Sequence, residues 1–227
     1  MFRFFARYKF FAIVLFVLSV IIISIIYSIL KPKKILQVYE PYRIDATLVD
    51  STVHHIRKYH KIADFSLLNQ NGEEVTQDDY KNKIYVADFF FTTCQTICPI
   101  MTGNMKKIQD ELKEDQEVLL LSHTVIPETD SVPQLKKYAL KKGVDDHKWN
   151  LVTGDKKHIY DLARKSYMVA KSDGDGGPYD MIHTENFVLI DKKKRIRGFY
   201  DGTNEEEIKR LLEDISILKE EKLPNTH

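Results

Sequence analysis

The pattern of apolar and polar positions divides the chain in two. From Phe10 to Leu30 the run FFAIVLFVLSVIIISIIYSIL carries no charge for 21 residues. At about 1.5 Å rise per residue this spans the roughly 30 Å hydrocarbon core of a bilayer, and it predicts one transmembrane helix. A cleavable signal would hold a shorter apolar stretch, about 7–15 residues, and then a small-x-small site. This run ends instead in Ile29-Leu30-Lys31-Pro32-Lys33-Lys34. An uncleaved anchor over residues 10–30 is expected, behind a tail of residues 1–9. Basic residues lie on both sides of it (Arg3, Arg7 and Lys9 before; Lys31, Lys33 and Lys34 after), so the positive-inside rule does not decide the orientation. The shortness of the tail favours carrying the large C-terminal part across the membrane.

Beyond the anchor, residues 31–59 are polar, with Pro41, scattered charges and no sustained period; they read as a tether. Residues 60–222 then alternate between strand and helix patterns, with a short tail at 223–227. Ile62–Leu68 and Glu73–Thr76 flank Asn71-Gly72 and predict a hairpin. Ile84–Phe91 is nearly continuously apolar, as in a strand buried on both faces, and is expected to be the central one. After a Thr-rich turn, Met101, Met105, Ile108 and Leu112 recur at helical spacing. A strand over 117–122, a helix over 132–140 stopped by Gly143, a strand over 148–152 and a helix begun by Asp155 follow. A Gly-rich loop from Ser172 to Pro178 precedes a second hairpin, 186–190 with 196–200, and Asn204 caps a last helix through Leu218. A βαβ half, a hairpin and a closing helix predict an α/β fold of thioredoxin-like type, a mixed central sheet with helices on both faces.

Charge narrows the partners. The formal net charge is +1, and the lysines are interleaved with Glu and Asp, which describes a solvated surface; nucleic acid is not an expected partner. The part beyond the anchor is long enough for one domain with a real core and too short for two.

The chemistry lies in Thr92-Thr93-Cys94-Gln95-Thr96-Ile97-Cys98-Pro99, which holds both cysteines of the chain at a strand-to-helix turn. On a helix, positions four apart share a face with about 6 Å of rise, within reach of a disulfide. Three uses compete: a structural bridge, a redox pair or metal ligands. A bridge closing so short a loop would remove little chain entropy. A helix N-terminus favours a thiolate, which suits the other two uses. Thioredoxin-type redox centres use C-x-x-C, and this chain has one residue more. Two thiolates and one imidazole would make a soft site suited to copper. Of the eight histidines, His54, His55, His60, His147, His158 and His227 read as solvated surface. His123 ends a strand, and is a candidate for the layer behind the ligands or an ordinary core-edge residue. His183 follows the Gly-rich loop and precedes a buried strand, a position from which a loop could bring it to the cysteines.

Phe90–Pro99 resembles the copper motif of Sco/SenC proteins, and His183-Thr184 ahead of Phe187–Asp191 resembles that family's ligand histidine and its strand. Thr124–Ser131 and Trp149–Gly154 add to a resemblance that covers roughly Ile62 to Leu218. Gln95 replaces a frequent Pro, and Ile126 replaces a frequent Asp before Pro127, leaving Glu128 and Asp130 as substitute carboxylates near the site. The resemblance implies copper, as Cu(I), Cu(II) or both, on Cys94, Cys98 and His183. It implies a metallochaperone rather than a true enzyme, serving the copper-bearing subunit of a cytochrome c oxidase. Expected partners are that subunit, other copper chaperones and a thioredoxin-like reductant that keeps the thiols reduced. The expected location is a bacterial inner membrane, with the domain on the periplasmic side. The chief alternative is a metal-free thiol-disulfide oxidoreductase using Cys94 and Cys98. A peroxidase finds no activating arginine near the cysteines, and an inert tethered domain would hold a closed disulfide and take up no metal.

Overall fold

The structure is a computed structural model that describes residues 8–30, 34–45, 47–170, 177 and 180–221. It separates into two units, up to Ile35 and from Leu36 onward. The first contains helix α1, Lys9–Leu30. From Lys9 to Tyr27 its mean hydropathy is 3.0 and none of it is buried within the protein. A helix this long and apolar is consistent with the anchor reading.

The second unit is built on a seven-stranded sheet in the order β2-β1-β5-β4-β3-β6-β7. Its strands are β1 (Ser66–Asn69), β2 (Glu74–Thr76), β3 (Ile84–Phe90), β4 (Val118–Thr124), β5 (Trp149–Thr153), β6 (Asn186–Ile190) and β7 (Ile196–Asp201). The expected hairpins form, the first with Gly72 at φ +76°, where a side chain would be strained. β3, β4 and β5 are parallel, while β6 runs antiparallel to β3. Every residue of β3 is buried, as its continuous apolar pattern predicts. The middle strand is β4, with β3 beside it; hydrophobicity marks a strand as interior but does not rank its place.

Helices α2 (Cys98–Glu111), α3 (Val132–Lys142) and α5 (Glu205–Glu220) cover one face, packing Met101, Met105, Ile108, Leu135, Leu211 and Ile215 against β-strand residues such as Val86 and Leu120. The opposite face is covered by helix α4 (Lys156–Asp161), the wider turn Leu162–Ser166 after it, and residues 167–170. Asp155 caps α4 and Asn204 caps α5, each side chain accepting a backbone N–H. Gly143 ends α3 in the left-handed region, φ +72°. The Gly-rich loop expected at 172–178 lies outside the described residues except for Gly177.

The stretch read as a free tether is, from Leu36 onward, laid against the domain. The buried Arg197 guanidinium donates to the Leu36 carbonyl at 2.7 Å and the Gln37 carbonyl at 3.3 Å, while pairing with Asp191 (3.0 Å) and Glu221 (2.7 Å). The Tyr39 N–H donates to the Ile196 carbonyl at the edge strand β7, and the Tyr39 ring meets Phe199 edge-on. Glu40 accepts from the N–H groups of Tyr59 and His60. His60, expected at the surface, is buried with its ring bonded to the Ser166 carbonyl at 2.8 Å. An irregular segment docks through single residues, so it shows no period. Arg197→Leu should therefore destabilise the protein by about 3 kcal/mol and expose residues 36–60 to protease, as read by denaturant unfolding and limited proteolysis.

Candidate metal centre

The cysteine loop leaves the carboxyl end of β3, the usual end for a site in a parallel sheet. Cys98 is the first residue of α2 and is 3% exposed, whereas Cys94 lies in the irregular turn before it and is half-buried. The pair is therefore not two positions on one helix face, as the four-residue spacing suggested. The thiols still meet, because the turn folds Cys94 back over the start of the helix. Ile97, the residue preceding α2, offers no side-chain cap, and the Cys94 sulfur takes that role. It lies 3.6 Å from the Thr96 hydroxyl, and the Cys98 thiol and the N–H groups of Cys98 and Thr96 face it and favour its ionised form.

These contacts set the two acidities apart. Burial resists ionisation of Cys94, but the four donors outweigh it and bring the thiol down to about 7. Burial pushes the Cys98 thiol up to about 12, and its bond to Cys94 adds to the effect. One sulfur is ready as a thiolate near neutral pH while the other holds the proton.

His183 reaches the same end of the sheet. β6 pairs antiparallel with β3 through Tyr85↔Ile190, Val86↔Leu189 and Ala87↔Val188, so His183, three residues before β6, lies toward the end of the sheet where β3 ends. The His183 ring lies edge-on to Phe91, with 6.2 Å between centroids. Its segment is pinned upstream, where Asp180 pairs with Arg164 at 2.7 Å and its carbonyl accepts from the Tyr160 hydroxyl. Downstream, Ile182 and Thr184 are buried, so the extended chain turns His183 outward. Among the described residues no three His, Cys, Asp or Glu side chains converge as a ready-made metal cage. The donor set fits a soft ion chemically: a thiolate, a thiol that ionises on binding, and an exposed imidazole.

Residues 53–219 match the family model described as SCO1/SenC. The chain belongs to the SCO1/SenC family. It is 32% identical over 160 residues to the SCO1 protein homolog of Bacillus subtilis, covering 69% of this chain and 81% of that one. The structure of BsSco, a member of the Sco family of cytochrome c oxidase assembly proteins in which a disulfide switch was identified, is 29% identical, with a TM-score of 0.61, 72% of this chain covered and 95% of that chain. Copper-bound ScoI of Bradyrhizobium japonicum is 27% identical, with a TM-score of 0.54, 68% of this chain covered and 99% of that chain. The fold is thioredoxin-like, as the element order predicted.

The groups considered as a layer behind the ligands separate in the structure. His123 is fully buried on the sheet face opposite Cys98, stacked on Phe89 and edge-on to Phe65 and Tyr167. Burial lowers its pKa to about 3, so it stays neutral, a core residue and not a neighbour of the thiols. Glu128 is exposed, 3.9 Å from Lys156. Asp130 is fully buried, its carboxylate taken up by Thr92 and Thr124.

A residue that the sequence reading passed over is Asp88, on the Cys98 face of β3. It is 1% exposed, and one carboxylate oxygen has no hydrogen-bond partner. Burial pushes its pKa up to about 7 against a hydrogen bond from Ser122, and its charge adds to the upward push on Cys98. The available signal was an acid inside an otherwise apolar strand pattern, which is costly unless the acid stays neutral.

Two measurements follow from these acidities. At about pH 7.5, iodoacetamide should label Cys94 of the reduced, folded chain and spare Cys98, as read by peptide mass spectrometry. An acid whose folded pKa lies above its unfolded one, near 3.9, weakens folding progressively as pH rises between the two values. Asp88→Asn should thus leave stability nearly unchanged at about pH 4 and raise it by about 2 kcal/mol at about pH 8, as read by denaturant melts at both values.

Proposed function

We propose that this protein is a membrane-anchored copper chaperone that holds one copper ion through Cys94, Cys98 and His183 and helps assemble the dinuclear copper site of a cytochrome c oxidase. The observation that supports the reading is a ready thiolate beside its protonated partner at the sheet end where the exposed His183 imidazole lies edge-on to Phe91, in a SCO1/SenC chain. The copper-bound ScoI relative supports it. Two thiolates suit Cu(I) and the imidazole adds affinity for Cu(II). A site whose imidazole stays exposed leaves an approach for ligand exchange with a partner's thiols. The apolar helix α1 supports anchoring at a membrane, and we assign the domain to the periplasmic face of a bacterial inner membrane.

Release of copper leaves a dithiol that an oxidising compartment converts to a disulfide with loss of two electrons and two protons, so a thioredoxin-like reductant is the expected second partner. The same pair supports a second reading, a metal-free thiol-disulfide oxidoreductase in which the Cys94 thiolate attacks a substrate disulfide and Cys98 resolves the mixed disulfide. The BsSco disulfide switch favours keeping it.

Titration of the reduced full chain in detergent with Cu(I) and Cu(II), beside His183→Ala, separates the two. The chaperone reading expects one tight equivalent of copper, with affinity falling about tenfold or more in the variant. No copper uptake, with disulfide reduction unchanged in His183→Ala, would establish the oxidoreductase instead.

A further inference from the structure

We propose that Asp130 is a positioning residue for the thiol pair, gripping Thr92 so that the loop bearing Cys94 is held over the start of α2. Asp130 has no exposed surface. One carboxylate oxygen accepts from the Thr92 hydroxyl at 2.5 Å; the other accepts from the Thr92 N–H at 3.0 Å and from the Thr124 hydroxyl at 2.5 Å. All three donors are neutral. Withdrawing a carboxylate from water costs several kcal/mol, and an apolar residue could fill the same volume at less cost. What the carboxylate adds is direction: three short bonds that only one arrangement of the two loops satisfies.

Those bonds join the segments that leave adjacent parallel strands. Thr92 lies two residues before Cys94 in the loop after β3, and Thr124 ends β4. Asp130 is itself held by its N–H, which donates to the Ile126 carbonyl at 2.9 Å. Gln134 of α3 donates to the Thr92 hydroxyl at 2.9 Å, so that hydroxyl must point its own proton at Asp130. Thr92 is thus fixed through both its backbone and its side chain. From there only Thr93 separates the grip from Cys94, whose N–H closes a turn onto the Phe91 carbonyl. Holding the loop raises the effective concentration of one sulfur at the other, which favours both the disulfide and shared binding of one soft ion.

The copper half of this inference rests on the function proposed above; the redox half does not. Full chain in detergent is compared as wild type, Asp130→Asn, Thr92→Val and Thr92→Ser. Measurements are the Cys94–Cys98 reduction potential in dithiothreitol buffers, Cu(I) affinity by chelator competition, and thermal stability. Asp130→Asn and Thr92→Val should each lower the disulfide formation constant about tenfold, a shift of about 30 mV toward more oxidising potential. They should weaken Cu(I) by a similar factor, and Thr92→Ser, which keeps the hydroxyl, should restore both. If Asp130→Asn does not fold, the contrast between Thr92→Val and Thr92→Ser decides. Lower thermal stability with unchanged potential and Cu(I) affinity in the folded variants would overturn the proposal. A shifted potential in a protein that binds no copper would uphold the positioning role and reject the copper reading.

Discussion

The backbone ladder between β3 and β6 runs antiparallel beside the parallel strands β3, β4 and β5, and the placement of the candidate site depends on this reversal. The chain leaves β3 at the same sheet end where it enters β6. Two stretches nearly ninety residues apart, one carrying Cys94 and Cys98 and the other His183, are thereby brought to the same end of the sheet. A parallel β6 would have delivered His183 to the opposite end of the sheet, more than a strand length away. Pinning of Asp180 by Arg164, and of Ile182 and Thr184 by burial, then leaves His183 little choice but to face outward.

Around that meeting point the protein uses burial unevenly. The sulfur at the helix start is sunk in the core and keeps its proton, while the sulfur in the preceding turn collects the donors that the uncapped helix leaves free. The acids nearby follow the same logic. Asp130 is buried among donors, whereas Asp88 is buried with one oxygen unpartnered and holds its proton to near neutrality. A group in low dielectric either finds hydrogen bonds or stays uncharged.

Much of this was legible beforehand. Strand and helix identities, the caps at Asp155 and Asn204, and the stop at Gly143 all come from local preferences, which act over a few residues and survive in any tertiary setting. The cysteine turn and His183 stood out because their residue types are rare and their positions fall where a strand meets a helix or a loop. Less visible was anything decided by what packs from elsewhere. Residues 31–59 looked like a free linker because Leu36 and Tyr39, like His60 just after it, dock one at a time onto Arg197, Ile196 and Ser166, with no period to betray them. His123 ends a strand in either reading, and only its pleat phase, set by pairing with Phe89, sends it to the face away from Cys98.

By itself, then, the sequence determined the apolar helix, the order and kind of elements and the residues with chemistry to offer, because these follow from composition and short-range periodicity. Tertiary structure alone decided which sulfur ionises first, that Asp130 grips the cysteine loop, that Asp88 lies on the Cys98 face, and that the linker is part of the domain. Each of these is a matter of burial and of partners far along the chain, quantities that exist only once the sheet has assembled.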